Sequence, residues 1–411
     1  MEAAAIWSIA AVTIALILIR PAKLPEAVWA CGGALFLIAL RLIPLSEAGA
    51  AARKGTEVYL FLAGMMLLAE LARSEGVFDW IASRAVAASH GSRLRLFALV
   101  YAAGTLVTIF LSNDATAVVL TPAVYAAIRR ARVTPEPYLF ACAFIANAAS
   151  FVLPVSNPAN LVIYGSKMPA LWPWFQAFLL PSIVSIAVTW SALWSISREA
   201  LTGPIDGPPG THPLTPTGRR AVWGLSFAAA ALVTASYFGW DLGIVTCLAA
   251  IIAIVFSTGG KKFAALAKGA SWSVLPLVAG LFILVEAVNR AGAREMAASA
   301  LRDLATLSTV AGSLAASFGV ALLSNIANNL PSGLLTAGAL QGSDTPEHIR
   351  RALLIGVDLG PNLSVTGSLA TILWLSALRR EGQHVSALTF LKAGAVVMTP
   401  ALALAALTSL L

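Results

Sequence analysis

Charged side chains are scarce in this chain. Asp, Glu, Lys and Arg make up 11% of its 411 residues, whereas a soluble domain carries about 25%. With so little charge, and with 59% hydrophobic residues and a mean hydropathy of +0.84, the soluble classes are excluded and a polytopic membrane protein is indicated. Histidine is rarer still. His90, His212, His348 and His384 all fall at predicted ends or loops, which leaves no histidine relay inside the membrane. The three cysteines, Cys31, Cys142 and Cys247, lie far apart in apolar runs and read as small core residues, not as a disulfide or a metal cluster. Missing too are G-x-x-x-x-G-K-[ST], H-E-x-x-H, G-x-S-x-G and any clustered carboxylate pair, so the chain reads as no enzyme. No cofactor and no metal is expected. The net charge of +8 does not point to nucleic acid, because the cations sit at the ends of apolar runs, where they set topology.

What the chain has in plenty is apolar runs. They fall near 3–19, 26–43, 57–72, 138–165, 176–197, 221–238, 241–257, 271–289, 349–378 and 386–410, which predicts an all-α protein with about ten transmembrane segments. Residues 1–19 lack a basic leader and a cleavage site and read as a first span, not a removed signal peptide. Pieces at 77–90 and 293–304 carry mixed charge and read as interfacial helices. Two interrupted regions, about 93–132 and about 306–340, are left over. The first holds L-S-N-D-A-T between arginine-bracketed halves, each too short to span, and reads as a re-entrant hairpin with a polar tip.

The chain divides at a Pro-, Gly- and Thr-rich linker, 199–219, which is expected to be cytoplasmic. On either side the sequence repeats. Gly64, Glu70 and Gly76 match Gly280, Glu286 and Gly292 at one offset of 216, and Leu111-Ser112-Asn113 is answered by Leu323-Ser324-Asn325. Each half closes on a broken span, with L-P-V-S-N-P-A-N inside 138–165 and G-P-N-L-S-V-T-G-S inside 349–378. Matching interruptions in two halves mark a duplicated transporter. Residues 1–198 and 220–411 are therefore read as two repeats. Five spans each makes their topology inverted. With both termini outside, 18 of the 27 Lys and Arg residues fall inside, Arg20, Lys23, Arg73, Arg129 and Arg380 among them, in the sense expected for a bacterial-type inner membrane.

The polar breaks are the candidate site. Broken helices offer free N–H groups and carbonyls at mid-membrane depth, and Asn, Ser and Thr add donors and acceptors without fixed charge. The residues are Ser112, Asn113 and Thr116; Ser156, Asn157 and Asn160; Ser324, Asn325, Asn328 and Asn329; and Asn362, Thr366 and Ser368. Asp114 and Asp358 lie in or beside the breaks. A carboxylate there is costly, since burial penalises its charged form, and this suits a proton carrier. Glu70 with Arg73 and Glu286 with Arg290 have helical spacing and are expected to pair locally.

The doubled tips S-N-D-A-T and S-N-I-A-N-N, with S-N-P-A-N and T-G-S in the later breaks, resemble the ion transporter superfamily. Within it, the chain is most similar to the ArsB arsenical pump membrane proteins. The resemblance spans essentially the whole chain. It implies export of arsenite and antimonite, either by proton antiport or with a separate cytoplasmic ATPase, since no nucleotide site exists here. Arsenite near neutrality is mainly an uncharged trihydroxide, which suits a cage of Asn, Ser and Thr. A sodium/proton antiporter or a carboxylate carrier of the same superfamily is the alternative, but the breaks contain no Lys or Arg to hold a carboxylate.

Overall fold

A computed structural model describes every residue except 22, 23, 206, 208–211 and 342, and only the backbone of residue 166. Lys23 and part of the linker thus lie outside the described residues. Helices account for all regular structure among the described residues, and the single β-type pairing there is an isolated bridge between Ser92 and Pro204.

Seven of the described helices are long and apolar enough to cross a membrane: Glu2–Ile19, Arg93–Leu111, Leu171–Ser197, Pro216–Phe238, Val274–Thr306, Thr309–Ala327 and Ala387–Thr408. The pair Leu45–Lys54 and Thr56–Ser74, bent by 49°, makes an eighth. Six of these eight fall on the ten apolar runs; the other two, Arg93–Leu111 and Thr309–Ala327, come from the two interrupted regions, so the first arm of each is long enough to span and not too short as read from the sequence. The remaining four runs do not count as spans for a physical reason. The run at 138–165 is interrupted between helices Glu136–Ala148 and Pro158–Tyr164, and that at 349–378 between Glu347–Leu359 and Leu369–Arg380. Two further apolar runs form the shorter helices Glu26–Ala39 and Leu242–Thr258. Gly292, at φ 100°, kinks the helix after residue 288 and turns Arg294–Thr306 into a separate arm.

The two halves follow one plan. Helices Arg93–Leu111 and Thr309–Ala327 have 19 residues each and begin 216 residues apart. Glu136–Ala148 and Glu347–Leu359 have 13 each and begin 211 apart. The packing is also reciprocal. A β-carbon on Gly64 would meet the Thr246 backbone at 2.7 Å, and one on Gly280 would meet the Ala30 backbone at the same distance. Glycine is needed at both positions, because close helix approach through small residues is what drives packing where lipid offers no hydrophobic contrast. The Cys247 thiol donates to the Leu60 carbonyl (3.1 Å) and the Cys31 thiol to the Pro276 carbonyl (3.3 Å). Each of these contacts recurs with the partners exchanged between halves, 216 residues on.

The backbone turns where the polar breaks stand. Ser112 has φ 100° and ψ 158°, and Asn328 has φ 77° and ψ 154°, a region that side chains other than glycine rarely adopt. Beyond Ser112 the chain folds back on itself. The Thr116 hydroxyl lies 2.8 Å from that of Thr108 and donates to the Gly104 carbonyl at 3.3 Å. In the second half the helix continues through Ser324 and Asn325 to Ala327 before turning at Asn328. The two L-S-N triplets are therefore not structural equivalents. Ser112 matches Asn328 and Asn113 matches Asn329, at the same 216 offset as the glycines.

One local pairing is as read from the sequence and one is not. Arg73 grips Glu70 through two hydrogen bonds, of 2.7 and 2.5 Å. Arg290 does not pair with Glu286. It turns to Glu47, while Lys54 takes Glu286 at 2.9 Å. Helical spacing failed here because helix Leu45–Lys54 packs alongside and offers partners from outside the helix.

Candidate functional site

The two turns and the two later breaks meet at the centre of the molecule. Asn113 and Asp114 from the first tip, Asn329 and Leu330 from the second, Asn157 and Pro158 from one break, and Leu369 and Ala370 from the other enclose a cavity of about 10 Å³. That is room for roughly one water. Asp114 also borders a far larger cavity, of about 530 Å³, which it lines with Ser112 and Pro158 at the deep end. Arg73, Arg380 and Glu381 line its exposed end. Asp114 therefore lines both the large vestibule and the small central cavity.

Each turn satisfies its own backbone. Ser112 Oγ accepts from the Ala115 N–H (3.5 Å), and Asn113 Oδ1 from the Asp114 N–H (2.9 Å). Asn328 Oδ1 accepts from the Leu330 N–H (3.4 Å), while its amide donates to the Thr366 carbonyl. The Ser112 and Asn328 oxygens act as N-caps of the helices that leave the tips. Asn329 Oδ1 is buried without a hydrogen-bond partner.

Several of the residues read as candidates face the protein and not a cavity. Ser156 donates to the Ile109 carbonyl and accepts from the Leu153 N–H, pinning the first break to the helix Arg93–Leu111. Asn160 reaches back to the carbonyls of Ser150, Leu153 and Pro154. Asn325 donates to the Ala321 and Gly360 carbonyls, accepts from Ser364, and offers its own carbonyl to Thr366. Ser368 caps the helix Leu369–Arg380 by accepting from the Thr371 N–H. Ser324 is fully buried, and its hydroxyl has no partner. Together with Thr116, the groups of Ser156, Asn160, Asn325 and Ser368 hold the irregular backbone in shape, as any break at membrane depth requires.

Side-chain hydrogen bonds also tie the later breaks of the two halves together. Asn157 Nδ2 donates to Asp358 Oδ1 at 2.8 Å, and Asn147 Nδ2 donates to Asn362 Oδ1 at 2.9 Å. Asn362 in turn donates to the Phe144 carbonyl. Asp358 is fully buried, with its Oδ2 unpaired. Asn147 and Ser150 were not among the residues read from the sequence. A signal was available, because P-E opens both helices at 135–136 and 346–347, and counting from it places Asn147 on Asp358. No His, Cys, Asp and Glu group suited to a metal ion occurs among the described residues.

Residues 14–357 match the sequence model of a family described as citrate transporter. An arsenical pump membrane protein of Yersinia enterocolitica is 28% identical over 352 residues, covering 82% of each chain. An uncharacterized transporter of Mycobacterium tuberculosis is 26% identical over 423 residues, covering 97% of each. Among solved structures, the Alcanivorax borkumensis YdaH transporter, described as having an unusual topology, aligns with a TM-score of 0.58 at 16% identity. The alignment covers 93% of this chain and 97% of that one, a likeness of fold.

Proposed function

Since the chain belongs to the citrate transporter family and is a membrane transporter, we propose that it exports trivalent arsenite and antimonite from the cytoplasm in exchange for protons. The observation that carries this reading is the chemistry of the centre. Asn113, Asn157 and Asn329 surround it, and neither Lys nor Arg lines it. Neutral amides exchange hydrogen bonds with the hydroxyls of an uncharged trihydroxide, and the unpaired Oδ1 of Asn329 is an acceptor in want of such a donor. The naming of several relatives as arsenical pumps supports the same substrate.

In this reading the halves are inverted-topology repeats in the inner membrane, with both termini outside. The cation bias puts Arg73 and Arg380 on the cytoplasmic side, so the large cavity admits substrate from within and the arrangement is open inward. Substrate would dock at the deep end, against Ser112 and Asp114, and reach the amides as the centre widens. A neutral substrate gains nothing from membrane potential, whereas each entering proton is worth about 2.3 kcal/mol per 100 mV. Asp114 and Asp358 are the carboxyls placed to carry it. An ATP-driven mode would need a separate cytoplasmic ATPase.

The family's description favours a second reading, a carboxylate carrier. The centre argues against it, because its only ionisable group is an acid, Asp114. Inverted vesicles with an imposed pH gradient decide the matter. Gradient-driven arsenite uptake without citrate or sodium uptake is expected, and citrate uptake in its place would overturn the proposal.

A further inference from the structure

Apart from the vestibule, a cavity of about 370 Å³ opens where three helices reach their ends, and that volume lies in the range of small-ligand pockets. Helix Leu171–Ser197 packs against both Glu136–Ala148 and Ala387–Thr408. The latter two meet through their rings, Phe144 stacked on Phe390 at 5.0 Å and Phe140 edge-on to it at 6.1 Å. Phe140 also lies in the cavity wall, and Glu136 stands one turn before it. Thr389, Lys392 and Val396 follow at i, i+3 and i+7, which sets them on one face of their helix. Ile196 and Ser197 close the wall from the end of the third helix.

Two chemistries meet in this wall. Ile196 and Val396 are 43% and 48% exposed on two apolar spans, so acyl chains pass beside the cavity. Glu136 and Lys392 bring one charge of each sign, and Thr389 and Ser197 bring hydroxyls. Among the described residues neither charged group makes an ion pair. A lysine so near the start of a span reaches its ammonium toward the phosphate level of a bilayer, and a carboxylate accepts hydrogen bonds from an ammonium. We propose that this cavity holds the headgroup of a phosphatidylethanolamine lipid. Its phosphate sits on Lys392 with the Thr389 and Ser197 hydroxyls, its ammonium on Glu136, and its acyl chains along Ile196 and Val396.

The acid is what selects the headgroup. Sites for anionic lipids are basic, and Glu136 would repel a second negative charge. Phosphatidylcholine keeps the phosphate, but its trimethylammonium has no N–H to donate, and such cations are held in cages of aromatic faces. Phe140 is the one aromatic side chain in this wall among the described residues. It also carries the contact inward, lying 6.1 Å from Trp374 on helix Leu369–Arg380. The first residues of that helix border the centre, and its Ser376 and Arg380 line the vestibule. The bound lipid thereby braces a helix that walls the vestibule, whatever the transported substrate.

Native mass spectrometry of the full chain tests this without any transport, with release from micelles that hold phosphatidylethanolamine, phosphatidylglycerol and phosphatidylcholine in equal amounts. One tightly retained phosphatidylethanolamine per chain is expected. Lys392→Gln should weaken its retention about tenfold, the scale of one lost hydrogen bond to a charged group. Glu136→Lys should transfer the preference to phosphatidylglycerol. Should a charge variant not fold, Val396→Trp, at an exposed position, fills the cavity with both charges in place and should weaken retention as well. Equal retention of the three lipids by the parent, a parent preference for phosphatidylglycerol, or a retained lipid unmoved by all of these substitutions would overturn the proposal. No substrate enters the assay, so a failure of the arsenite reading leaves its outcome untouched.

Discussion

Asn157 makes the sharpest test of how the halves are joined. Its side chain is 1% exposed and holds two hydrogen bonds, one as the cap of helix Pro158–Tyr164 and one to Asp358 in the opposite half. Truncation to Ala removes a cap, worth about 1 kcal/mol. It also leaves a buried acceptor without its donor, which costs about 1–3 kcal/mol in soluble proteins. Hydrogen bonds between helices in a bilayer average about 0.6 kcal/mol and reach about 1.7, so the second term is taken near 1–2 and the total near 2–3. Asn157→Ser keeps a capping oxygen but cannot reach Asp358, and should lose the second term alone. The assay is reversible unfolding of purified protein in mixed micelles, run as a double-mutant cycle with Asp358→Val. A coupling of about 1–2 kcal/mol is expected. Additivity within about 0.5 kcal/mol would show that the contact across the halves contributes nothing and would refute the reasoning.

Asp114→Asn should abolish uphill, proton-driven arsenite movement in proteoliposomes while sparing downhill exchange, because the amide keeps the shape but carries no proton; undiminished accumulation would shift coupling to Asp358. Asn113→Ala and Asn329→Ala should each weaken apparent arsenite affinity by about 1–2 kcal/mol, roughly five- to thirtyfold, with membrane insertion unchanged, and parent-like transport in both would make the central amides mere caps. Gly64→Val and Gly280→Val should lower thermal stability alike, since both β-carbons would strike backbone at 2.7 Å; harm from only one would contradict reciprocal packing. Cysteine at Ser376, on the vestibule wall, should react with an impermeant maleimide in inside-out vesicles and not in intact cells, and the reverse pattern would invert the proposed orientation.

Much of this architecture can be read from the sequence, because a bilayer imposes simple rules. Apolar runs mark helices, and polar residues inside them mark breaks. The glycines at 64 and 280 gave the repeat offset directly. The second tip was harder to place. Identity favoured aligning Ser112-Asn113 with Ser324-Asn325, yet the turn depends on a backbone with positive φ, and Asn328 supplies it four residues later. Letters matched where geometry did not. The division of labour among the polar residues was equally hidden. Asn113, Asn157 and Asn329 border the centre, while Asn160 and Asn325 cap carbonyls, and nothing in an Asn-rich motif tells a lining amide from a capping one. Arg290 shows the same limit, since its partner Glu47 comes from a helix 243 residues away.

Reciprocal packing also sets a timetable for synthesis. Ala30 meets Gly280 across the two halves, so the helix Glu26–Ala39 finds its close-packed neighbour only after 250 further residues have emerged. At a translation rate of about 5–20 residues per second, that is a wait of roughly 10–50 s. Until then the first half rests in the bilayer with its small-residue face against lipid or an insertion factor. The nascent chain is therefore most exposed to quality-control proteases while the second half is still on the ribosome.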